Sequence, residues 1–289
     1  MTSFDAPVGA VRAVVALALA EDLTPLGDIT SALLPAGVEG GADLVVRTAG
    51  VVAGRACADE TFRQVDQAIA CSWHVGDGAA VDAGTVIGTV TGPLASILTA
   101  ERTALNFLGH LSGIATRVRA FVDAAGPGIR VWDTRKTTPG LRALEKAAVR
   151  AGGAANHRGN LSDWVMLKDN HLSVLGIHEA VQRARGTWPG RLVQVEADRI
   201  EQVAEALAAG ADAVLLDNMS PGEVVACVAL AGDHAASAGT SRALLEVSGG
   251  VTLETVASFA RTGADLISSG SLTNSAPVLD IGLDIKPRC

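Results

Sequence analysis

From residue 129 onward the chain alternates short apolar runs with longer segments whose apolar positions recur at helical spacing. Such alternation predicts right-handed βαβ units around a parallel sheet. Six runs are too few for a complete eight-stranded barrel, so we predict an α/β fold with an irregular, incomplete βα barrel; a doubly wound open sheet is the alternative. The predicted strands are 129–132, 164–167, 192–195, 213–216, 244–247 and 265–268, and the predicted helices are 140–151, 172–186, 199–209, 221–231 and 252–262.

The first third of the chain has a mixed pattern, in which glycine turns punctuate short β segments between helices. This pattern predicts an N-terminal α+β domain, with a break in its last helical stretch near Gly109–Gly113. The predicted elements are helix 10–22, strand 42–53, helix 56–67, short β segments within 69–92 and a helical stretch over 94–124. The predicted domains are 1–115 (α+β), 116–275 (barrel) and 276–289 (C-terminal tail).

Composition supports this class of fold. The 289 residues are 48% hydrophobic but only 3% aromatic, and tyrosine is absent, as suits small and branched side chains between helices and parallel strands. The 23 basic and 31 acidic residues give a net charge of −8. This balance argues against a nucleic-acid partner, although a local basic pocket is compatible with it.

Neither the cysteines nor the apolar runs indicate an extracellular or membrane protein. Cys57, Cys71, Cys227 and Cys289 form no CxxC pair and have no zinc-like spacing, so we expect reduced, ordinary thiols. The apolar stretch 14–20 is too short for the roughly 20 residues that span a bilayer. An amphipathic first helix fits it better, and we expect a soluble, cytoplasmic protein.

Polar residues follow each of the six apolar runs directly. Because the carboxyl ends of the strands in a βα barrel share the face that carries the active site, we expect these residues to line one mouth. A single polar strand end is an ordinary cap or turn, but six in the same position favour a functional site. The segments are 133–140, 168–171, 196–198, 217–218, 248–250 and 269–271.

Two glycine-rich turns predict a phosphate site. Ser248, Gly249 and Gly250 follow the fifth run, and Ser269 and Gly270 follow the sixth. Glycines let the backbone approach an anion, and a helix predicted just after the first turn offers free N–H groups. The last two loops of barrels often bind phosphate. The two turns together therefore favour a phosphate monoester, although each alone is a common turn.

Cations are also concentrated in loops: Arg135 and Lys136 follow the first apolar run, Lys168 follows the second, and Arg158 lies in the loop before the second run. Guanidinium groups bind carboxylates bidentately, and ammonium groups act as point charges. An acidic protein that gathers cations at one mouth is expected to bind a multiply anionic small molecule, with a histidine as a further donor. Upstream, Arg102 either joins this set or forms an incidental surface pair with Glu101. The candidates at the mouth are Arg135, Lys136, His157, Arg158 and Lys168.

Two acids, Glu196 and Asp217, end neighbouring predicted strands. Two carboxylates near a ribose can stabilise positive charge on the sugar, or can hold Mg2+ beside phosphates directly or through water. They can equally accept hydrogen bonds from loop N–H groups or from Lys168, and the two roles are compatible. His171 is as readily a helix cap as a functional residue.

Residues 133–140 (DTRKTTPG) match a signature of the quinolinate phosphoribosyltransferases, and the resemblance extends in order along the whole chain. The long signature is highly specific, whereas the glycine turns alone are not. Asn274 is a departure, because many members have histidine there. The other resembling segments are EDL at 21–23, GDIT at 27–30, ERTALN at 101–106, NHRGNLSD at 156–163, LKDNH at 167–171, LLDNM at 215–219 and SGGVT at 248–252.

The resemblance implies an α/β domain followed by an irregular barrel, and a homodimer in which one N-terminal domain covers the other subunit's barrel mouth. It also implies that quinolinate and phosphoribosyl pyrophosphate react, with Mg2+, to give nicotinate mononucleotide, CO2 and pyrophosphate in NAD biosynthesis. By position, the resemblance implies that the quinolinate ligands are Arg102 (donated across the dimer), Arg135, His157, Arg158 and Lys168. It implies that the catalytic residues are Lys136, Lys168, Glu196 and Asp217, and that both acids face Mg2+. The implied phosphate ligands are Gly249, Gly250 and Gly270, beside Ser248 and Ser269.

Three other functions are compatible with parts of the pattern. A phosphoribosyltransferase for nicotinate or another pyridine would need a smaller basic set than this chain carries. A barrel aldolase would use Lys168 as a Schiff base, but no apolar pocket around that lysine is evident. A non-catalytic anion-binding homologue is disfavoured by the intact acid pair.

Overall fold

The computed structural model describes residues 5–286, which form two compact units. The first comprises residues 5–119, 137–153 and 272–286, and the second comprises residues 120–136 and 154–271. Among the described residues, no helix combines the length and the apolar character needed to cross a membrane.

Antiparallel strands form the sheets of the first unit. They are β1 (Glu39–Val46), β2 (Gly50–Val51), β3 (Ala70–Trp73), β4 (Ala80–Val81), β5 (Val86–Pro93) and β12 (Ile281–Lys286). The larger sheet has the order β12-β1-β5-β3, and β2 pairs with β4. Along β1, Ala42, Leu44 and Val46 are fully buried, as expected of a strand with one face on a core. No strand was predicted over 281–286, yet this segment pairs with β1 along six residues.

The helices of the first unit cover its sheet. They are α1 (Val8–Leu23), a 3-10 turn (Ser31–Leu33), α2 (Arg55–Val65), α3 (Leu94–Ala125, up to residue 119) and α4 (Arg142–Ala151). The predicted α1 is confirmed: Val11, Val15 and Leu19 are buried at four-residue spacing on one face. The core of the unit joins Leu44, Phe62, Ile87, Ile97 and Leu108.

Helix α3 is continuous, so the predicted break near Gly109–Gly113 is wrong. The two glycines instead let another segment approach the helix. The Leu279 N–H donates to the Gly109 carbonyl at 2.9 Å, and a Cβ at Gly113 would overlap the Pro277 carbonyl oxygen. A residue without a side chain is therefore required by packing rather than by a change of backbone direction.

Six parallel strands form the sheet of the second unit, and the six predicted strands are confirmed. They are β6 (Arg130–Trp132), β7 (Val165–Leu167), β8 (Val193–Ala197), β9 (Ala213–Asp217), β10 (Leu244–Ser248) and β11 (Leu266–Ser268). Their order is β6-β11-β10-β9-β8-β7. Val193, Val214 and Leu245 are fully buried, in keeping with a sheet covered on both faces.

Side chains rather than backbone bonds bridge the two edges of this sheet. The ring of Trp132 on β6 lies 6.1 Å from that of Trp164, just before β7. His157 lies between them, with ring centroids 5.4 Å from Trp132 and 4.7 Å from Trp164. The sheet therefore curls until its edge strands approach without pairing, which confirms the predicted incomplete barrel.

The helices of the second unit differ from prediction at two places. The predicted helix 172–186 is two helices, because Gly176 (φ 70°) interrupts it. The last predicted helix shrinks to four residues, and Thr262 Oγ1, which donates to the Phe259 carbonyl at 2.7 Å, ends it before Gly263 (φ 87°). The helices are α5 (Asp169–Leu175), α6 (Ile177–Thr187), α7 (Ile200–Ala208), α8 (Pro221–Ala238), α9 (Val256–Phe259) and α10 (Ser271–Asn274, of which residue 271 belongs to this unit).

Candidate active site

The strand register aligns the carboxyl ends in one row along the second unit. Glu196 of β8 pairs with Leu215 of β9, and Asp217 pairs with Ser248 of β10. Lys168 follows β7 by one residue, and Ser269 follows β11 in the same way. Parallel pairing thus brings the polar strand ends to one edge, where barrel enzymes carry their active sites.

Lys168 and Glu196 form an ion pair between the ends of β7 and β8. The Lys168 side chain is 44% exposed and that of Glu196 is 14% exposed, so the pair opens to solvent on the lysine side. The Lys168 N–H donates to His171 Nδ1 at 3.1 Å. His171 therefore caps the start of α5, which favours its structural role.

Arg158 is a buried cation that forms no ion pair among residues 5–286. Its residue exposure is 8%, and its guanidinium donates to the weak sulfur acceptor of Met166 at 3.3 Å. Burial lowers the pKa of Arg158, and the positive charge of Arg135 lowers it further, against the opposing charges of Asp163, Glu246 and Glu196. A buried cation is costly unless an anion compensates it, so this geometry favours an anionic ligand.

Asp133, the first residue of the long signature, fixes the loop that carries Arg158. It is fully buried at the end of β6. Its carboxylate accepts the His157 N–H at 2.7 Å and the Asn156 side-chain amide at 2.9 Å. The acid of the signature therefore has a structural role in the second unit.

His157 faces the barrel interior. Its Nε2 lies 3.2 Å from Glu246 Oε2, and its Nδ1 accepts the Arg158 N–H at 2.8 Å. A ring nitrogen that accepts from an amide carries no proton, so we assign the Nε2–H tautomer. That His157 donates to a substrate carboxylate stays a prediction; here its Nε2 faces Glu246.

The turn after β10 presents unused backbone donors. Gly249 and Gly250 have left-handed backbones (φ 85° and 63°), and their N–H groups make no hydrogen bond among the described residues. A Cβ at Gly249 would overlap Asn218, the residue after β9. Beside them, Ser248 Oγ accepts from Ser268 Oγ at 3.2 Å. The long helix expected after this turn is absent, so the unused N–H groups belong to the turn itself and not to the start of a helix.

The turn after β11 is held by side-chain hydrogen bonds. Ser269 Oγ donates to the Val251 carbonyl at 3.2 Å and contacts Ser271 Oγ at 2.9 Å, which braces this turn against the preceding one. A Cβ at Gly270 would lie 2.6 Å from Lys136 Cδ. The glycine thus leaves room for the aliphatic stem of Lys136, which is an exposed residue.

Asp217 and Glu196 line a cleft of about 430 Å3 at the same edge. Asn218 Nδ2 donates to Asp217 Oδ2 at 2.9 Å, and Asn218 has a positive φ of 57°, a strained conformation of the kind found at functional sites. Among the described residues, no three histidine, cysteine or acidic side chains converge on a metal position. Other polar residues lining the cleft are Asp169, Ser173, Asp198, Arg199, Gln202 and Glu205.

Comparison with known proteins decides the family. The chain matches the C-terminal domain profile of quinolinate phosphoribosyl transferase over residues 114–284 and the N-terminal domain profile over residues 28–112. The chain belongs to the quinolinate phosphoribosyltransferase family.

Close relatives cover nearly the whole chain. A probable nicotinate-nucleotide pyrophosphorylase (carboxylating) of Bacillus subtilis strain 168 is 42% identical over 90% of this chain and 88% of its own. The Mycobacterium leprae nicotinate-nucleotide pyrophosphorylase (carboxylating) is 41% identical over 97% of this chain and 99% of its own. A Francisella tularensis nicotinate-nucleotide pyrophosphorylase structure superposes with a TM-score of 0.92 at 35% identity, covering 98% of both chains.

Arg102 lies apart from the other candidates in the chain, on α3 in the first unit of this family member. It is exposed and forms no ion pair among residues 5–286, so the surface pair with Glu101 is not present. Two neighbours on α3 anchor the N-terminal motif segments: Thr103 Oγ1 donates to Asp22 Oδ2 at 3.0 Å, and Thr99 Oγ1 donates to Asp28 Oδ2 at 2.9 Å.

Two further residues belong to this region and were not predicted from the sequence, Glu246 and Asn218. Glu246 is fully buried within β10, and an acid inside the apolar run LLEVS is the signal that could have marked it. Asn218 was quoted only as part of a motif. Its contacts with Asp217 and Gly249 arise from the pairing of β9 with β10, which the sequence does not display.

Proposed function

We propose that this chain transfers phosphoribose from phosphoribosyl pyrophosphate to quinolinate, with decarboxylation to nicotinate mononucleotide, as a step of NAD biosynthesis. One observation carries the proposal: the buried guanidinium of Arg158, next to the charge of Arg135, donates to a sulfur and has no carboxylate partner among the described residues. Quinolinate brings two carboxylates to such a site. Family membership over residues 28–112 and 114–284 supports the same reaction.

In the proposed reaction the pyridine nitrogen attacks the anomeric carbon of the ribose as pyrophosphate departs. Arg135, Arg158 and Lys168 orient quinolinate through its carboxylates. Glu196 and Asp217 face the positive charge that develops on the sugar, where fixed negative groups lower the barrier. The free N–H groups of Gly249 and Gly250, with Gly270, Ser248 and Ser269, form the cradle for the 5-phosphate.

Decarboxylation follows from the product of the first step. Once the ring nitrogen is quaternary, the bond to the adjacent carboxylate breaks, the electron pair stays on the ring carbon beside the cation, and a proton replaces CO2. No protein nucleophile is required. Lys168, with Glu196 beside it, is in an ionic environment opposite to the apolar pocket of a Schiff-base lysine.

The site suits Mg2+ that binds together with the phosphates of the substrate. The two acids offer oxygen ligands at neighbouring strand ends, and such a pair suits an ion that is also bound by phosphates and water. Glu196 and Asp217 would hold it, directly or through water. When bound, Mg2+ neutralises charge on the departing pyrophosphate.

The proposed assembly is a homodimer in which Arg102 completes the quinolinate site of the partner subunit. Arg102 is exposed and has no ion pair among the described residues. The segment anchored beside it exposes large apolar side chains, with Leu26 at 81%, Ile29 at 67% and Leu33 at 82% exposure. Exposed apolar groups of this kind mark interfaces. A cytoplasmic location remains a prediction from composition.

The deciding experiment is to supply purified protein with phosphoribosyl pyrophosphate, Mg2+ and either quinolinate or nicotinate. We expect CO2 and pyrophosphate in equal amounts with quinolinate, and slow or no turnover with nicotinate. Faster turnover of nicotinate would assign the chain to the monocarboxylate reaction. Binding of quinolinate without any release of pyrophosphate would favour the non-catalytic homologue.

A further inference from the structure

The interior of the second unit holds a buried acid that the proposed reaction does not use. Glu246 lies in the middle of β10 and is fully buried. Two side chains hydrogen-bond to one of its oxygens: His157 Nε2 lies 3.2 Å from Oε2, and Gln194 Nε2 donates to Oε2 at 2.6 Å, whereas Oε1 has no hydrogen-bond partner among the described residues. Gln194 is fixed in turn by Trp164, whose indole N–H donates to its Oε1 at 3.0 Å.

This network keeps Glu246 as an acceptor. Burial alone would raise the pKa of Glu246, but the hydrogen bond and charge of His157, with the neighbouring Ser268 and Gln194 side chains, outweigh burial, and the pKa is lowered. An ionised carboxylate can only accept. His157 must therefore point an N–H towards Glu246, which leaves Nδ1 as an acceptor on the other side of the ring.

The lone pair on Nδ1 meets the backbone of the substrate-binding arginine. The Arg158 N–H donates to Nδ1 at 2.8 Å. The rings of Trp132 and Trp164 flank His157 and restrict its tilt. Glu246, His157 and Arg158 thus form a chain of two hydrogen bonds from the barrel interior to the backbone that carries the guanidinium.

We propose that Glu246 is a positioning residue for quinolinate: by fixing the tautomer of His157 it holds the Arg158 backbone, and so directs the guanidinium to the carboxylates of the substrate. The inference rests on the proposed function for the identity of that substrate. The contact of Glu246 is with His157, so its effect on the substrate is indirect. Metal-bound imidazoles are oriented by buried carboxylates in the same way.

The test compares Glu246→Gln, which keeps an acceptor oxygen and removes the charge, with Glu246→Leu, which removes both. For Glu246→Leu we expect the KM for quinolinate to rise about tenfold or more, with the KM for phosphoribosyl pyrophosphate within about twofold. For Glu246→Gln we expect both KM values within about threefold of the parent, because the hydrogen bond is retained. Asp265→Asn is the matched control: Asp265 accepts the N–H of Leu245 on the same strand at 2.8 Å, so this change should lower the Tm and leave both KM values unchanged.

A second readout is independent of turnover. Nitrogen-15 NMR of the histidine rings should show His157 as the Nε2–H tautomer in the parent and in Glu246→Gln, and a changed tautomer in Glu246→Leu. The inference is overturned if both KM values rise together, if Glu246→Gln is as impaired as Glu246→Leu, or if the tautomer of Glu246→Gln differs from the parent. Should the parent not turn over quinolinate at all, the proposed function fails, while the NMR comparison still decides whether Glu246 sets the tautomer. If Glu246→Leu does not fold, the Glu246→Gln spectrum and KM values decide.

Discussion

Lys168 Nζ contacts the carboxylate of Glu196 across the ends of the neighbouring strands β7 and β8. The pair joins a proposed quinolinate ligand to a proposed ligand of the ribose and Mg2+. Each partner neutralises the other while the site is empty, so neither charge is left uncompensated before the substrates bind. When an anionic substrate binds Lys168, Glu196 becomes available for positive charge on the sugar or the metal.

Replacing Glu196 with glutamine should separate catalysis from stability. The pair is partly exposed, and such pairs contribute roughly 0–1 kcal/mol to folding, so we expect almost no change in the free energy of unfolding. Loss of a charge that faces the transition state should lower kcat about 100-fold or more. Urea titration and steady-state kinetics check the two halves. A variant that retains parental kcat would exclude Glu196 from the reaction.

Arg158→Met should weaken substrate binding without destabilising the protein. The guanidinium is buried without an ion pair among residues 5–286, and replacing such a group with an apolar side chain of similar size is often neutral or stabilising. We expect an unchanged or higher Tm, together with a loss of quinolinate affinity of about 2–5 kcal/mol. Calorimetry of folding and of quinolinate binding measures both. A clear drop in Tm with normal affinity would show that Arg158 is structural.

The sequence predicted those parts of the fold that repeat along the chain. Each of β6 to β11 is a short apolar run, and the polar residue at its end follows from period and position alone. The structure differs from the prediction where contacts between distant parts of the chain determine the conformation. The carbonyl groups of Pro277 and Leu279 explain Gly109 and Gly113, and the partner of β12 lies more than 200 residues away in the chain.

The candidate site shows the same division. Lys168, Glu196 and Asp217 could be named from strand ends, because parallel pairing brings such residues to one edge. Glu246 could not be named in this way, since it lies within β10 and its proposed role depends on contact with His157, which is 89 positions upstream. Helix α9 is shorter than predicted because the hydroxyl of Thr262 donates to the carbonyl of Phe259, and local side-chain bonds of this kind compete with the continuation of a helix.

Gly249→Ala should affect the phosphate-binding turn specifically. A left-handed backbone costs a non-glycine residue about 1–2 kcal/mol, and the new methyl group would also overlap Asn218. We expect a lower Tm and a raised KM for phosphoribosyl pyrophosphate. The matched control is Gly239→Ala, since Gly239 has a φ of 65° with open space around it at the end of α8. Gly239→Ala should lower the Tm by a similar backbone effect and leave the KM for phosphoribosyl pyrophosphate unchanged. Equal effects of the two variants on this KM would refute the assignment of Gly249 to the phosphate-binding turn.

Asp28 should give the first unit a measurable acid dependence. Hydrogen bonds lower the pKa of Asp28 from 3.8 to about 2. The largest contributions come from the hydroxyl and the N–H of Ser31, followed by Thr99 and Thr30. Because the folded pKa is below the unfolded value, the stabilisation is complete above the unfolded pKa and is lost as pH falls through about 2. The difference in unfolding free energy between the parent and Asp28→Asn should therefore be constant at neutral pH and shrink below about pH 4. Urea titrations over this range measure it, and a difference that does not change with pH would contradict the assignment.

Mixing two inactive variants tests whether Arg102 acts across a dimer interface. Arg102→Ala should be inactive because the partner's quinolinate site lacks a cation, and Lys168→Ala should be inactive in its own barrel. A mixed dimer would contain one intact site, formed by the barrel of the Arg102→Ala subunit and the arginine of the Lys168→Ala subunit. After random exchange half of the dimers are mixed, so activity should recover to about one quarter of the parental value. Two variants that are both altered within the barrel, Lys168→Ala and Glu196→Gln, are the control and should not complement each other. If Arg102→Ala and Lys168→Ala also fail to complement while subunit exchange is shown by a size or mass label, Arg102 does not act in trans, and its exposure needs another explanation.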